Sequence, residues 1–298
     1  MKMIRLIVCV GLALFAGCSK PEEVTTSVGK PVVTTVNYPL AYFAERIAGD
    51  SVDVVFPEIE GDPAFWQPSI EAMVAYQNAD LILLNGASYA KWIPRVSLSQ
   101  AQLVDTSAGF KERQILLENE LSHQHGPGGE HAHGAVAFTT WLDPLLAIEQ
   151  AAVIRAVLSD RWPENRATFD AGFQELKQDL IELDAALTVA FAVKVDVQLI
   201  GSHPVYQYLS RRYDLKMSSV HWEPEAALDA AMLRDLAGQL RADSKHVMLW
   251  EDVPLAESKA ALLNVGVDSV VFNPCGNRPE AGDYLSVMQQ NVLNVTAE

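Results

Sequence analysis

The sequence predicts an α/β protein made of two βα lobes with parallel sheets, joined by one long rigid helix, with a ligand cleft between the lobes. Two observations carry this reading. Short β-rich runs alternate with helix-period stretches in both halves of the chain, a pattern that predicts parallel sheets covered on both faces. Between the halves lies a run with one glycine and no internal proline, too long for an ordinary crossover.

In the first half, Val32 to Val36, Val52 to Phe56, Leu81 to Asn85 and Gln102 to Asp105 read as strands. Tyr38 to Ala48, Ile70 to Asn78 and Tyr89 to Val96 read as the helices between them. The second half repeats the pattern, with strands at Val197 to Gly201, Ser218 to Val220, Val247 to Trp250 and Ser269 to Phe272. Helices are expected from near Pro204, Pro224 and Leu255, and a last one from Asp283 to about Val295. The connecting run, Pro163 to Phe191, places Phe169, Phe173, Leu176, Leu180, Leu183 and Leu187 at spacings of three and four. As one helix of about 30 residues it would be ~45 Å long. Ligands of such open sheets bind beyond the carboxyl ends of strands, which directs attention to the residues after Phe56, Gly201, Leu249 and Phe272.

The N-terminus has a different character. Lys2 and Arg5 precede the apolar run Leu6 to Phe15, and Ala16-Gly17-Cys18 follows. A charged region, a short apolar region and small residues before a cleavage point make an export signal. Cysteine after Ala-Gly resembles the bacterial lipobox, with Phe15 where leucine is usual, so Cys18 is expected to be lipidated and to tether the protein to a membrane surface. The domain reading is therefore signal peptide 1–17, lipidated tether 18–29, N-terminal lobe 30–162 with a His-rich loop at 121–135, spine 163–191 and C-terminal lobe 192–298. With Cys9 in the signal and Cys18 lipidated, only Cys275 remains, so no intrachain disulfide is expected. The formal charge of −16 repels nucleic acid and raises local cation concentration.

Four of the seven histidines, His123, His125, His131 and His133, crowd into one Gly-rich stretch that reads as a flexible surface loop. Neutral imidazole ligates Zn²⁺ and neighbouring transition metals, so the stretch suits metal capture without specifying a structured site.

Several local motifs add to this order of elements. They are Tyr38-Pro39-Leu40-Ala41-Tyr42-Phe43, Ala79-Asp80-Leu81-Ile82-Leu83-Leu84-Asn85-Gly86, Trp141-Leu142-Asp143-Pro144 and Asp283-Tyr284-Leu285. Together with the signal, the His-rich loop and the spine, they make the chain similar to the zinc/manganese solute-binding lipoproteins of ABC importers. The resemblance implies a periplasmic, membrane-attached protein that captures zinc, or Mn²⁺ or another transition metal, between its lobes. It would deliver the ion to permease and ATPase subunits, with only small lobe motions on loading. No His-Glu-x-x-His helix or Gly-x-Ser-x-Gly elbow points instead to an enzyme.

The family's ligand positions carry over poorly. Its first histidine falls on Ala64 in Asp62-Pro63-Ala64-Phe65-Trp66-Gln67-Pro68, its second on Thr139, and its final carboxylate on Asn273; only His203 matches. Zn²⁺ takes three or four N, S or O donors, and these replacements offer none that is charged. Glu58, Glu60, Glu251 and Cys275 are the substitute donors within reach along the chain, and His203 with Cys275 would favour a softer ion such as Cu⁺. The alternative is that the altered cleft takes a different solute or a metal chelate, with Trp66, Trp141 and Tyr206 as aromatic walls. His221 and His246 read as loop and strand-start residues without ligand roles. On these counts, four loop imidazoles against one in the cleft, most zinc binding is expected in the loop.

Overall fold

The computed structural model describes residues 29–59, 61–117, 136–194 and 196–297. The signal segment, Cys18, Glu60 and the four loop histidines lie outside the described residues. The N-terminal lobe holds β1 (Val32–Thr35), α1 (Tyr38–Ala48), β2 (Asp53–Val55), α2 (Ile70–Asn78), β3 (Leu81–Leu84), β4 (Leu103–Asp105) and α3 (Pro144–Arg161). The connecting helix is α4 (Arg166–Ala192). The C-terminal lobe holds β5 (Val197–Gly201), α5 (Gln207–Arg212), β6 (Met217–Ser219), α6 (Ala230–Ala237), β7 (Lys245–Trp250), α7 (Ala256–Asn264), β8 (Val267–Val271) and α8 (Tyr284–Thr296).

Both sheets are parallel and have the same strand order, β2-β1-β3-β4 and β6-β5-β7-β8. In each, the order reverses direction between the first and third strands, at β1/β3 and β5/β7. A crevice opens there at the carboxyl ends, because the following connections leave toward opposite faces.

Local chemistry sets the helix starts. Asn37 accepts from the Leu40 N–H at α1, with Pro39 in the first turn, and Ser69 does the same for Ala72 at α2. Asp143 caps α3 ahead of Pro144, and Asp283 with Ser286 forms a capping box at α8. The apolar stripe of α4, Phe169 through Leu187, is buried in a core continuous with both lobes. This helix packs against α1, α3 and α8. It begins three residues later than the sequence predicts, because Pro163–Asn165 is a 3-10 turn.

Two expectations fail. Tyr89 to Val96 is not an α-helix; only a 3-10 turn forms, at Ile93–Arg95. Pro94 lacks an N–H and disfavours helical backbone before it, and Gly86, Ala87 and Ser88 enter the segment at positive φ. Conversely, α3 was not anticipated, although Asp143-Pro144 is a start signal, because its apolar residues spread around the helix instead of forming one stripe. The second-half helices expected from Pro204 and Pro224 start later, at Gln207 and Ala230, and leave irregular loops at the strand ends.

The lobes are stitched together along their shared face. The Trp141 indole donates to the Pro274 carbonyl at 2.7 Å, and the Tyr284 hydroxyl returns a bond to the Trp141 carbonyl at 2.9 Å. The Tyr38 N–H donates to Gly276 O at 3.0 Å, Tyr208 to Ala137 O at 3.0 Å, and the Asn277 amide to Ile59 O at 2.6 Å. Opening the lobes would exchange these bonds for bonds to water, a net cost of about 0.5–1.5 kcal/mol each. Small-angle scattering curves with and without bound solute should therefore superimpose; a clear contraction on loading would show that the seam opens.

Candidate metal centre

The two strand-order switch points carry opposite chemistry. In the N-terminal lobe, Asn37 and Asn85 follow β1 and β3 and join a buried, neutral network. The Asn37 amide donates to Asn85 Oδ1 at 3.2 Å, Asn85 donates to Phe138 O at 2.8 Å, and Gln150 bonds Thr106 and Thr140 at 2.9 and 3.0 Å. That crevice is filled by satisfied amides and hydroxyls. In the C-terminal lobe, His203 follows β5 and Glu251 follows β7, so ionisable groups hold the equivalent place.

His203 is half-buried between carboxylates. Its Nδ1 lies 2.6 Å from Glu251 Oε1, and its Nε2 lies 3.3 Å from Glu223 Oε1. The Glu251 contact is close but off the N–H axis, so the buried Nδ1 has no aligned hydrogen-bond partner. Burial pulls the His203 pKa down, but the Glu251 and Glu223 charges outweigh burial and leave it above 6.5. The His221 ring stands 6.0 Å away, centroid to centroid, at 85°. From the other lobe, Asp62 senses the charges of Glu251 and His203. Although its side chain keeps an edge in solvent, desolvation by the cleft walls, reinforced by Glu251, raises its pKa.

The degenerate family positions are closed off. Ala64 is buried at 1% exposure and offers no donor atom, while its N–H bonds the Asp62 carboxylate at 2.8 Å. The Thr139 hydroxyl is spent on the Val205 carbonyl. Asn273 Oδ1 accepts from the Cys275 N–H at 2.7 Å, and its own N–H goes to Asn291.

Of the substitute donors among the described residues, Glu251 is brought to His203, while Glu58 is exposed on the loop after β2. Cys275 is buried, and burial pushes its thiol up to about 12, which leaves no thiolate at neutral pH. Its charge neighbours are Asp283, Tyr38 and Tyr284, so a His203–Cys275 pair for a soft ion finds no support in this geometry. The aromatic walls are packing elements: Trp66 sits edge-on to Trp92 at 6.0 Å, and Trp141 and Tyr206 are fully buried with their polar atoms bonded to backbone. His246 bonds the Arg241 carbonyl on β7, away from His203. Among the described residues, no three His, Cys, Asp or Glu side chains already stand grouped to hold a metal ion. Sequence reasoning did not single out Glu223, and it read His221 as a loop residue without a ligand role. Both lie in the loop after β6, and applying the strand-end rule to that strand as well would have pointed to them.

Comparison with known proteins bears on the whole body of the chain. The zinc-binding lipoprotein AdcA of Streptococcus pneumoniae R6 is 27% identical over 98% of the chain, which spans 60% of that relative's length. The high-affinity zinc uptake system protein ZnuA of Bacillus subtilis 168 is 26% identical, over 95% of this chain and 92% of the relative. The fold matches the Zn(II)-bound ZnuA-like domain of S. pneumoniae AdcA with a TM-score of 0.76 at 24% identity, covering 90% of this chain and 98% of that one. The family model for the periplasmic zinc-uptake complex component A, ZnuA, matches residues 32–297, and the chain belongs to that family.

Proposed function

We propose that this protein is the solute-binding component of a zinc ABC importer, which captures Zn²⁺ outside the cytoplasm and delivers it to a permease and its ATPase. The observation that supports this most is family membership across the entire folded body, joined by relatives named for zinc binding and zinc uptake. The site chemistry agrees. Imidazole and carboxylate at His203, Glu223 and Glu251 suit a borderline divalent ion, and the acidic chain concentrates cations near it. The role is binding and delivery, not catalysis. Elemental analysis of protein purified without chelators should find zinc well above manganese and copper. Protein that holds no zinc, and takes up none when the metal is supplied, would overturn the reading.

Attachment to the membrane is assigned to Cys18. Among the described residues no helix is long and apolar enough to cross a bilayer, and a lipid on Cys18 would hold the protein at a membrane surface. Cys18→Ala is expected to abolish incorporation of labelled fatty acid and to release the protein in soluble or unprocessed form. Equal labelling of both proteins would rule the anchor out.

A further inference from the structure

A metal held at the family positions would need donors that Ala64, Thr139 and Asn273 do not supply. The irregular loop after β6 brings others. Two donors bound at about 2.0–2.1 Å to one tetrahedral Zn²⁺ stand about 3.3 Å apart. The separation between His203 Nε2 and Glu223 Oε1 is 3.3 Å. Two imidazoles on one such ion hold their centroids roughly 5 Å apart, from the same bond lengths. His203 and His221 are at 6.0 Å and nearly perpendicular. His221 and Glu223 are exposed side chains outside regular structure, and both would have to turn toward Nε2 to share an ion with it.

The other side of the ring fits the same arrangement. A metal-bound imidazole normally gives its second N–H to a carboxylate, which fixes the tautomer and the ring angle. Glu251 lies 2.6 Å from Nδ1, yet that buried nitrogen lacks an aligned partner. With the Nδ1–H given to Glu251, Nε2 is left facing the loop after β6, where Glu223 already stands 3.3 Å away.

We propose that Zn²⁺ binds on the C-terminal lobe at His203 Nε2, with Glu223 and His221 as its further protein donors and Glu251 orienting the His203 ring. The site rests on the zinc-importer reading and shares only His203 with the family's own ligand set. The expectation that most zinc binds in the loop rested on four loop imidazoles against one in the cleft; His221 and Glu223 would raise the count of donors in the cleft.

The test is zinc titration of the full chain against a competing chelator, with folding of each variant checked by circular dichroism. His203→Ala, His221→Ala and Glu223→Gln should each weaken the tightest site at least about tenfold, and Glu251→Gln by roughly 10–100-fold as an orienting partner. Glu58→Gln, which removes an exposed carboxylate of the same charge, should leave it within about twofold. If His203→Ala abolishes the tight site while His221→Ala and Glu223→Gln do not, the donor set is wrong and the zinc reading stands. A tight site indifferent to all these variants also overturns the donor set. If the wild type binds no zinc, both readings fail together.

Discussion

Gly172→Ala should lower the melting temperature by roughly 3–10 °C. The glycine sits on α4 where that helix crosses the end of α1. A Cβ there would lie 2.4 Å from the Arg46 carbonyl oxygen and 2.8 Å from that of Ile47. Both are backbone atoms, so relief requires the helices to separate. Separation would also pull on the Arg46–Asp179 ion pair at 2.7 Å, which ties the same crossing. Overpacking of this kind costs about 1–3 kcal/mol, and each kcal/mol shifts the midpoint of a chain this size by roughly 2–4 °C. Gly109→Ala is the matched control, because a Cβ there meets nothing within 4 Å. Calorimetry that finds the two variants equally stable would show that the α1–α4 crossing yields without strain.

The second large effect is on pH. The groups around the His203 ring are Glu251, Glu223, His221 and, across the cleft, Asp62. The carboxylates hold its pKa above 6.5, so protons begin to compete with a metal for Nε2 at a higher pH than at an ordinary histidine. Zinc affinity at this site should therefore start to fall above pH 6.5 and lose about tenfold per pH unit for each imidazole that must shed a proton. Metal-free protein should respond in the opposite sense. A raised pKa means that the His203 contacts add their full stability below pH 6.5 and lose it as pH rises through the folded value. Titration of the His203 ring by NMR, with and without His203's partner through Glu251→Gln, checks both. A midpoint at or below that of a free imidazole would contradict the pairing of His203 with Glu251 and Glu223.

Much of this architecture could be read from the chain. Asn37 with Pro39, and Ser69 before Ile70, mark helix starts through their own side chains, so the bounds of α1 and α2 were legible. The βα alternation and the α4 stripe are periodic signals and survived for the same reason. The segment at Tyr89 did not, since the positive φ at Ala87 and Ser88 is imposed by its surroundings and has no local signature in those residues. At the site, His203 and Glu251 were visible because each directly follows a strand that the pattern identifies. Glu223 and His221 reach the ring only through the parallel pairing of β5 with β6, a register that no local spacing reveals. Likewise the glycine at 172 was conspicuous in the spine, but its reason, the carbonyls of another helix, lies far away in sequence.

The seam between the lobes has a consequence for any partner that must tell a full carrier from an empty one. With Trp141, Tyr284, Tyr38, Tyr208 and Asn277 holding the halves in register, outline is a poor signal of cargo. On the zinc-binding proposal, what would change is charge: a divalent cation beside Glu223 and Glu251 would cancel much of the field they project. Discrimination would then be read as electrostatic potential instead of shape, and it should fade as added salt shortens the Debye length toward a few ångströms.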